Sequence, residues 1–177
     1  GHEMVGVVEK VGADVTSVRK GIGTDSRIGT KFLYPGPGFG GSCFPKDVKA
    51  LLHTGAEHGY EFTILEAVRA ANEKQKLLPI NFLKKSLKTL KGKRIAVWGL
   101  SFKPRTDDVR EAPALLIIET LLKNGASVVA FDPVATENAK TVLKSNARLK
   151  FAKDQYVTAD GADALVVATE WDEFRTA

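Results

Sequence analysis

The chain has 177 residues, 44% of them hydrophobic, with a net charge of +5 and a single cysteine. That is enough apolar material for one large domain or two small ones, which excludes a disordered polymer. One cysteine excludes an internal disulfide and a Cys-based zinc cluster, no metal is expected, and the thiol fits a reducing cytoplasm. No apolar run is long enough to span a membrane. Lys and Arg are scattered, without a basic run interleaved with aromatics, so nucleic acid is not the expected partner. A moderate positive field suits a small anionic substrate equally well.

In chain order, residues 4–11 read as the end of a helix. Asp14 through Gly21 reads as a helix with Asp14 as N-cap and Val15, Val18 and Ile22 on one face. Asp25-Ser26-Arg27 is polar punctuation before the glycine-rich stretch Gly36-Pro37-Gly38-Phe39-Gly40-Gly41-Ser42-Cys43-Phe44-Pro45-Lys46-Asp47. Pro45 is preorganised for the first turn of a helix that continues through Val48, Ala50, Leu51 and Leu52. Cys43 then sits just ahead of a helix N-terminus, where the dipole and nearby Lys46 favour thiolate over thiol. Asp47, four positions on, falls on the same face one turn along. A lone cysteine is most often a buried small hydrophobe, but a core thiol needs neither flanking glycines nor charges. The layout predicts a nucleophile with a cation and a carboxylate beside it. Gly36, Gly38 and Gly41 match G-x-G-x-x-G, yet Pro35 and Pro37 spoil the strand-to-turn step and the helix starts only after Cys43. This is not a dinucleotide fingerprint.

Thr63 to about Leu90 reads as one long helix carrying an apolar stripe: Ile64, Leu65, Val68, Ala71, Leu78, Phe82, Leu83, Leu87 and Leu90. Pro79 should kink it. After a short hinge at Lys91-Gly92-Lys93 the pattern changes. Strand-length apolar runs at 94–98, 127–131 and 164–168 alternate with helical segments at about 112–124, 135–145 and 154–160. That alternation predicts an α/β fold, a doubly wound parallel sheet with helices on both faces. Asp108 with Glu111 makes a capping box for the helix that Pro113 opens. Ligands of such sheets bind at the carboxyl ends of the strands. Phe102, Lys103 and Arg110 follow the first strand, Asp132 ends the second, and Thr169-Glu170-Trp171 ends the third. The first turn, Gly99-Leu100-Ser101-Phe102-Lys103, lacks the second and third fingerprint glycines, so it suits a nucleotide better than a dinucleotide. Lys103 is either a phosphate or sugar contact or an exposed lysine. Asp132, with Pro133 behind it, is at least as readily a strand-ending turn residue as a ribose-binding acid.

Two blocks carry a resemblance. Asp25-Ser26-Arg27-Ile28-Gly29 with Phe32 through Asp47, and Gly99-Leu100-Ser101-Phe102-Lys103-Pro104 with Thr106-Asp107-Asp108-Val109-Arg110-Glu111, resemble the UDP-glucose/GDP-mannose dehydrogenase family, its UDP-glucose branch above all. The resemblance covers essentially the whole chain. It implies a central helical dimerisation region over 1–91 and a Rossmann-like UDP-binding domain over 92–177, truncated at both ends. The NAD domain lies outside this stretch, so the chain alone should not turn over. The family oxidises UDP-glucose to UDP-glucuronate with two NAD. By resemblance Cys43 and Asp47 are catalytic, and Lys46 and Arg110 approach the cofactor. Arg27, Phe32, Tyr34, Pro35, Gly36, Gly38, Phe39, Gly40, Gly41, Phe102 and Lys103 hold the substrate, Arg27 that of the neighbouring subunit. A homodimer through the long helix, in the cytoplasm, is implied. The alternatives are a sister dehydrogenase acting on GDP-mannose or a UDP-N-acetylhexosamine, and a non-catalytic nucleotide-binding dimerisation module with an inert Cys43.

Overall fold

The computed structural model describes residues 6–8, 10–31 and 33–175, which form two compact units dividing after Gly36. In the first, helix α1 (Val15–Gly23) is capped as its sequence predicts. The Asp14 carboxylate accepts from the Thr16 and Ser17 N–H groups at 3.3 and 2.8 Å and from the Ser17 hydroxyl at 2.6 Å. These satisfy orphan donors of the first turn.

The second unit opens with three helices: α2 (Phe44–Glu57), α3 (Thr63–Lys76) and α4 (Leu78–Leu87). The single long helix expected over Thr63–Leu90 is thus two. Pro79 cannot donate, and its ring would press on the carbonyl four residues back. The chain therefore breaks at Leu77 (φ −92°, ψ −6°), and Pro79 falls in the first turn of α4, where no N–H is needed. The stripe also differs from expectation. Ile64 and Phe82 are 77% and 52% exposed, whereas Asn72 and Lys76 are each only 5% exposed.

The sheet follows: β1 (Arg94–Trp98), α5 (Pro113–Lys123), β2 (Ser127–Phe131), α6 (Thr136–Val142), β3 (Leu149–Phe151), α7 (Gln155–Ala159) and β4 (Ala164–Val167), then a 3-10 turn over Asp172–Arg175. All pairings are parallel, in the order β3-β2-β1-β4, with Ala96 opposite Val129 on one side and Leu165 on the other. With right-handed crossovers, the reversal of direction at β1 puts α7 on the face opposite α5 and α6. This is the doubly wound plan the alternation predicts. Strand β3 was not expected: three residues, half-buried at both ends, carry too short a pattern to read. Helix α6 stops at Val142, short of expectation, because Leu143 turns extended (φ −73°, ψ 127°) to lead into β3.

Ile95 and Val97 of β1, Val128 and Ala130 of β2, and Ile117, Ile118 and Leu121 of α5 form the core. Ile80 and Leu83 of α4 join the same core, where α4 packs against α5. Each such aliphatic side chain contributes about 1.5–3 kcal/mol on burial. The expected capping box is not formed. Helix α5 starts at Pro113 with Ala112 as N-cap and no side-chain cap. Asp108 is instead taken by Arg110, and Glu111, in the left-handed region at φ 54°, faces two lysines. Charged partners outcompete the neutral amides a box would supply.

Candidate active site

Cys43 is the N-cap of α2 and is exposed, with φ −92° and ψ −67°. Pro45 is buried in the first turn, anchoring the helix start. The N–H of Asp47 donates to the Cys43 carbonyl at 2.8 Å, which sets Asp47 one turn along as its spacing predicts. The Ser42 hydroxyl lies 3.6 Å from the Cys43 sulfur. The Lys46 ammonium lies 3.5 Å from the Asp47 carboxylate, both side chains facing solvent. An exposed sulfur at a helix N-terminus, with a lysine and a carboxylate on the next turn, is arranged for nucleophilic attack on an entering electrophile.

The glycine loop is pressed onto the loop that leaves β1. A Cβ on Gly40 would collide with the Glu111 backbone, and one on Gly41 would sit 2.9 Å from the Phe102 ring, at a backbone φ of +95° that side chains rarely adopt. The Gly41 N–H donates to the Arg110 carbonyl at 2.8 Å. The Arg110 guanidinium forks onto Asp108, with Nε at 2.9 Å from one oxygen and the terminal nitrogen at 2.7 Å from the other. This hydrogen bond, before any other cause, holds the Asp108 carboxyl below the usual carboxylate range. It also raises Arg110 above the ordinary arginine value; the charge of Asp108 adds to this, and the influence of Cys43 comes last. Arg110 is thus held by Asp108 in the loop that leaves β1. Phe102 is half-buried, and the Lys103 ammonium stands 5.2 Å from its ring centroid.

Gly38, Phe39, Gly40, Gly41, Cys43, Lys46, Asp47, Phe102, Lys103 and Arg110 therefore lie in one compact unit, and the contacts above join the glycine loop to Phe102 and Arg110. Two amides of the glycine loop are spent inside the protein. The Gly41 amide goes to Arg110, and the Phe39 amide goes to the Asn72 side chain at 2.8 Å. Asn72 also donates back to the Phe39 carbonyl at 3.1 Å. Arg27, Tyr34, Pro35 and Gly36 belong to the first unit. There the Arg27 guanidinium forks onto Asp25 at 2.6 and 3.0 Å, and Tyr34 lies under the Arg19 guanidinium, 4.2 Å from its ring centroid. Phe32 lies outside the described residues.

Sequence reasoning missed Asn72, Lys76 and Glu111. A signal existed: Asn72 and Lys76 continue the half-buried face of Leu65 and Val68, in the gap of the apolar stripe. Asp132 resolves as a strand-ending residue of unusual reach. Its buried carboxylate accepts from the N–H groups of Leu100, Ser101, Val134 and Ala135, from the Ser101 hydroxyl, and from the Trp171 indole at 3.1 Å. It faces inward among backbone donors and does not offer itself to a ribose.

As for NAD, the described residues do not build its cradle. The turn after β1 has Gly99 alone, packed against Thr169, and the Pro37–Cys43 loop follows no strand. Arg110 and Lys46 can meet a phosphate, and nothing more of a dinucleotide is provided for. Among the described residues there is no group of three or more His, Cys, Asp or Glu that could hold a metal, and no helix long and apolar enough to cross a membrane.

Comparison with known proteins points the same way. Residues 1–74 match the UDP-glucose/GDP-mannose dehydrogenase family, central domain, and residues 96–177 match that family's UDP binding domain. The chain is 47% identical over 180 residues to the UDP-glucose 6-dehydrogenase of Pseudomonas aeruginosa, covering 98% of this chain and 39% of that protein. It is 44% identical to the UDP-glucose 6-dehydrogenase of Rhizobium meliloti, again over 98% of this chain and 39% of the relative. Among solved structures, a UDP-glucose dehydrogenase from Pyrobaculum islandicum superposes with a TM-score of 0.87 at 37% identity, over 93% of this chain and 38% of that one. A UDP-D-ManNAc dehydrogenase from Pyrococcus horikoshii gives 0.78 at 27% identity, over 99% of this chain and 38% of that one. The chain thus spans about two fifths of the length of the relatives it matches.

Proposed function

Because the chain belongs to the UDP-glucose/GDP-mannose dehydrogenase family, we propose that it carries the thiol and the UDP-sugar site of an NAD-dependent UDP-glucose 6-dehydrogenase. Residues 1–91 serve as the central helical region and 92–177 as the UDP-binding domain. The observation that carries this reading is the seam at Gly41, where the loop of an exposed helix-capping thiol is hydrogen-bonded and packed onto Arg110 and Phe102 at the carboxyl end of β1. A nucleotide bound at that strand end would extend its sugar toward Cys43.

In this reading the Cys43 sulfur attacks the aldehyde carbon made by the first oxidation, giving a thiohemiacetal. Loss of a hydride leaves a thioester, and water then breaks the carbon–sulfur bond, releasing the acid and the free thiol. Asp47 orients or activates that water. Bound NAD would supply the hydride acceptor for both oxidations, and Arg110 and Lys46 are the contacts this chain would offer it. Phe102 and Lys103 complete the sugar-nucleotide pocket with Gly38, Phe39, Gly40 and Gly41. Phe32, Tyr34, Pro35 and Gly36 also hold substrate, and Arg27 reaches that of the neighbouring subunit in a homodimer. The exposed Ile64, Leu77 and Phe82 along α3 and α4 form the dimer face, and the setting is the cytoplasm. UDP-glucose is favoured over its sister substrates by the 47% and 44% identity to proteins that bear its name.

The test is NAD reduction by the full-length protein offered UDP-glucose, GDP-mannose and UDP-N-acetylmannosamine in turn. Two NADH per UDP-glucose, with little signal from the others and none from the present chain alone, is the expected result. One NADH per sugar would take the thiohemiacetal role from Cys43, and reduction only with another sugar would move the substrate.

A further inference from the structure

A cluster of charges that the reaction leaves unused lies between α2, α3 and the turn before α5. Lys76 is nearly buried, its side chain 6% exposed, and its ammonium lies 2.9 Å from Glu73 and 3.8 Å from Glu111. The other Glu111 oxygen takes the Lys49 ammonium at 2.7 Å. Lys49 stands on the thiol's own helix and Lys76 on α3, so one carboxylate from the β1 loop holds both helices. The Glu111 backbone is equally engaged: its φ of 54° is rare for a side-chain-bearing residue, and its carbonyl lies against Gly40. One residue earlier, Arg110 accepts the Gly41 N–H. Gly38, further up the loop, rests on the Asn72 amide and the Lys76 stem.

We propose that Glu111 is a positioning residue for Cys43: through Lys49, Lys76 and Gly40 it sets where the sheet domain holds the glycine loop and the N-terminus of α2. The kinetic part of this inference rests on the dehydrogenase reading; the geometric part does not. The hydrogen bond from Lys49, ahead of the charges of Lys49 and Lys76, keeps the Glu111 carboxyl below its ordinary range, so the tie is ionised at neutral pH. The Lys49–Glu111 pair is exposed on both sides and adds little stability. Misplacing a reacting group by an ångström, in contrast, costs roughly 100-fold in rate. Loss of Glu111 should therefore injure the chemistry more than the fold.

The experiment compares wild type and Glu111→Gln in the full-length protein. It reads the rate of Cys43 alkylation by iodoacetamide without substrate, kcat and KM for UDP-glucose, and thermal unfolding. The expected result is alkylation slowed about tenfold, kcat lowered about tenfold with KM within about twofold, and largely restored rates in Glu111→Asp. Wild-type alkylation and kcat in Glu111→Gln would overturn the proposal, as would a rate loss matched by unfolding. If Glu111→Gln does not fold, Lys49→Gln cuts the same tie from its exposed end; slowed alkylation there supports the proposal and an unchanged rate overturns it. If wild type reduces no NAD with UDP-glucose, the dehydrogenase reading falls, and alkylation alone decides the role of Glu111.

Discussion

Two carboxylates gather the chain in this protein, and they do it by different physics. Asp132, 2% exposed, joins the ends of β1 and β2 and the segment after β4 through neutral N–H and O–H donors. Glu111, its side chain 42% exposed, joins the thiol helix and α3 to the β1 loop through two ammonium groups. The first arrangement is short-ranged, water-excluded and indifferent to salt. The second is half in solvent and open to screening. Salt should therefore weaken the contacts of Glu111 and leave those of Asp132 unchanged.

The largest effect expected from breaking this contrast is chemical. Cys43→Ser should leave nucleotide binding intact and lower acid formation by roughly 1,000-fold or more, measured as NADH yield in the full-length protein. Retained activity would remove the thiol from the mechanism. For stability the largest loss belongs to Asp132→Ala. It strands several buried donors and should cost about 3–5 kcal/mol, read as a shifted urea midpoint. A loss below about 1 kcal/mol would mean that water replaces the carboxylate.

Next comes Gly41→Ala, which meets both a backbone at φ +95° and the Phe102 ring at 2.9 Å. About 1–3 kcal/mol is expected from strain and overpacking together. Smallest in stability is Glu111→Gln, at about 1 kcal/mol or less, and the difference from wild type should shrink further at 1 M salt. A salt-independent effect would place Glu111 on the same footing as Asp132.

Acid sharpens the same comparison. Asp108 and Glu111 both titrate below their ordinary values in the folded chain, through Arg110 and Lys49 respectively. A depressed carboxyl contributes stability that is fully present above its unfolded value, about 3.9 for Asp and 4.3 for Glu, and lost as pH falls through the folded value. Unfolding midpoints measured from pH 6 down to pH 3 should therefore fall less steeply in Glu111→Gln than in wild type. Parallel curves would show that the Lys49 tie contributes nothing to folding.

Much of this architecture was written locally. The N-cap at Asp14, the start of α2 behind Cys43 and Pro45, the start of α5 at Pro113, and strands β1 and β2 were legible because each depends on neighbours in the chain. Caps and prolines act within one turn, and a buried parallel strand announces itself as an apolar run. The thiol's place at a helix N-terminus was legible for the same reason.

Other features were decided only when distant segments met. The capping box failed in part because Glu111 found Lys49, 62 residues away, while Asp108 was taken locally by Arg110. Asn72 and Lys76 look like surface residues of a helix until the glycine loop arrives to cover them, 33 residues away in the case of Asn72 and Phe39. Asp132 looked like a simple turn residue, and its reach to Trp171 is a matter of strands ending side by side. Local sequence determined most of the helices, strands β1, β2 and β4, and where the thiol stands along its helix, since those follow from backbone sterics and hydrophobic periodicity. Which polar groups are buried, and what holds the thiol against the sheet, was settled by the tertiary structure, because a buried charge or amide must find its partner wherever the fold brings one.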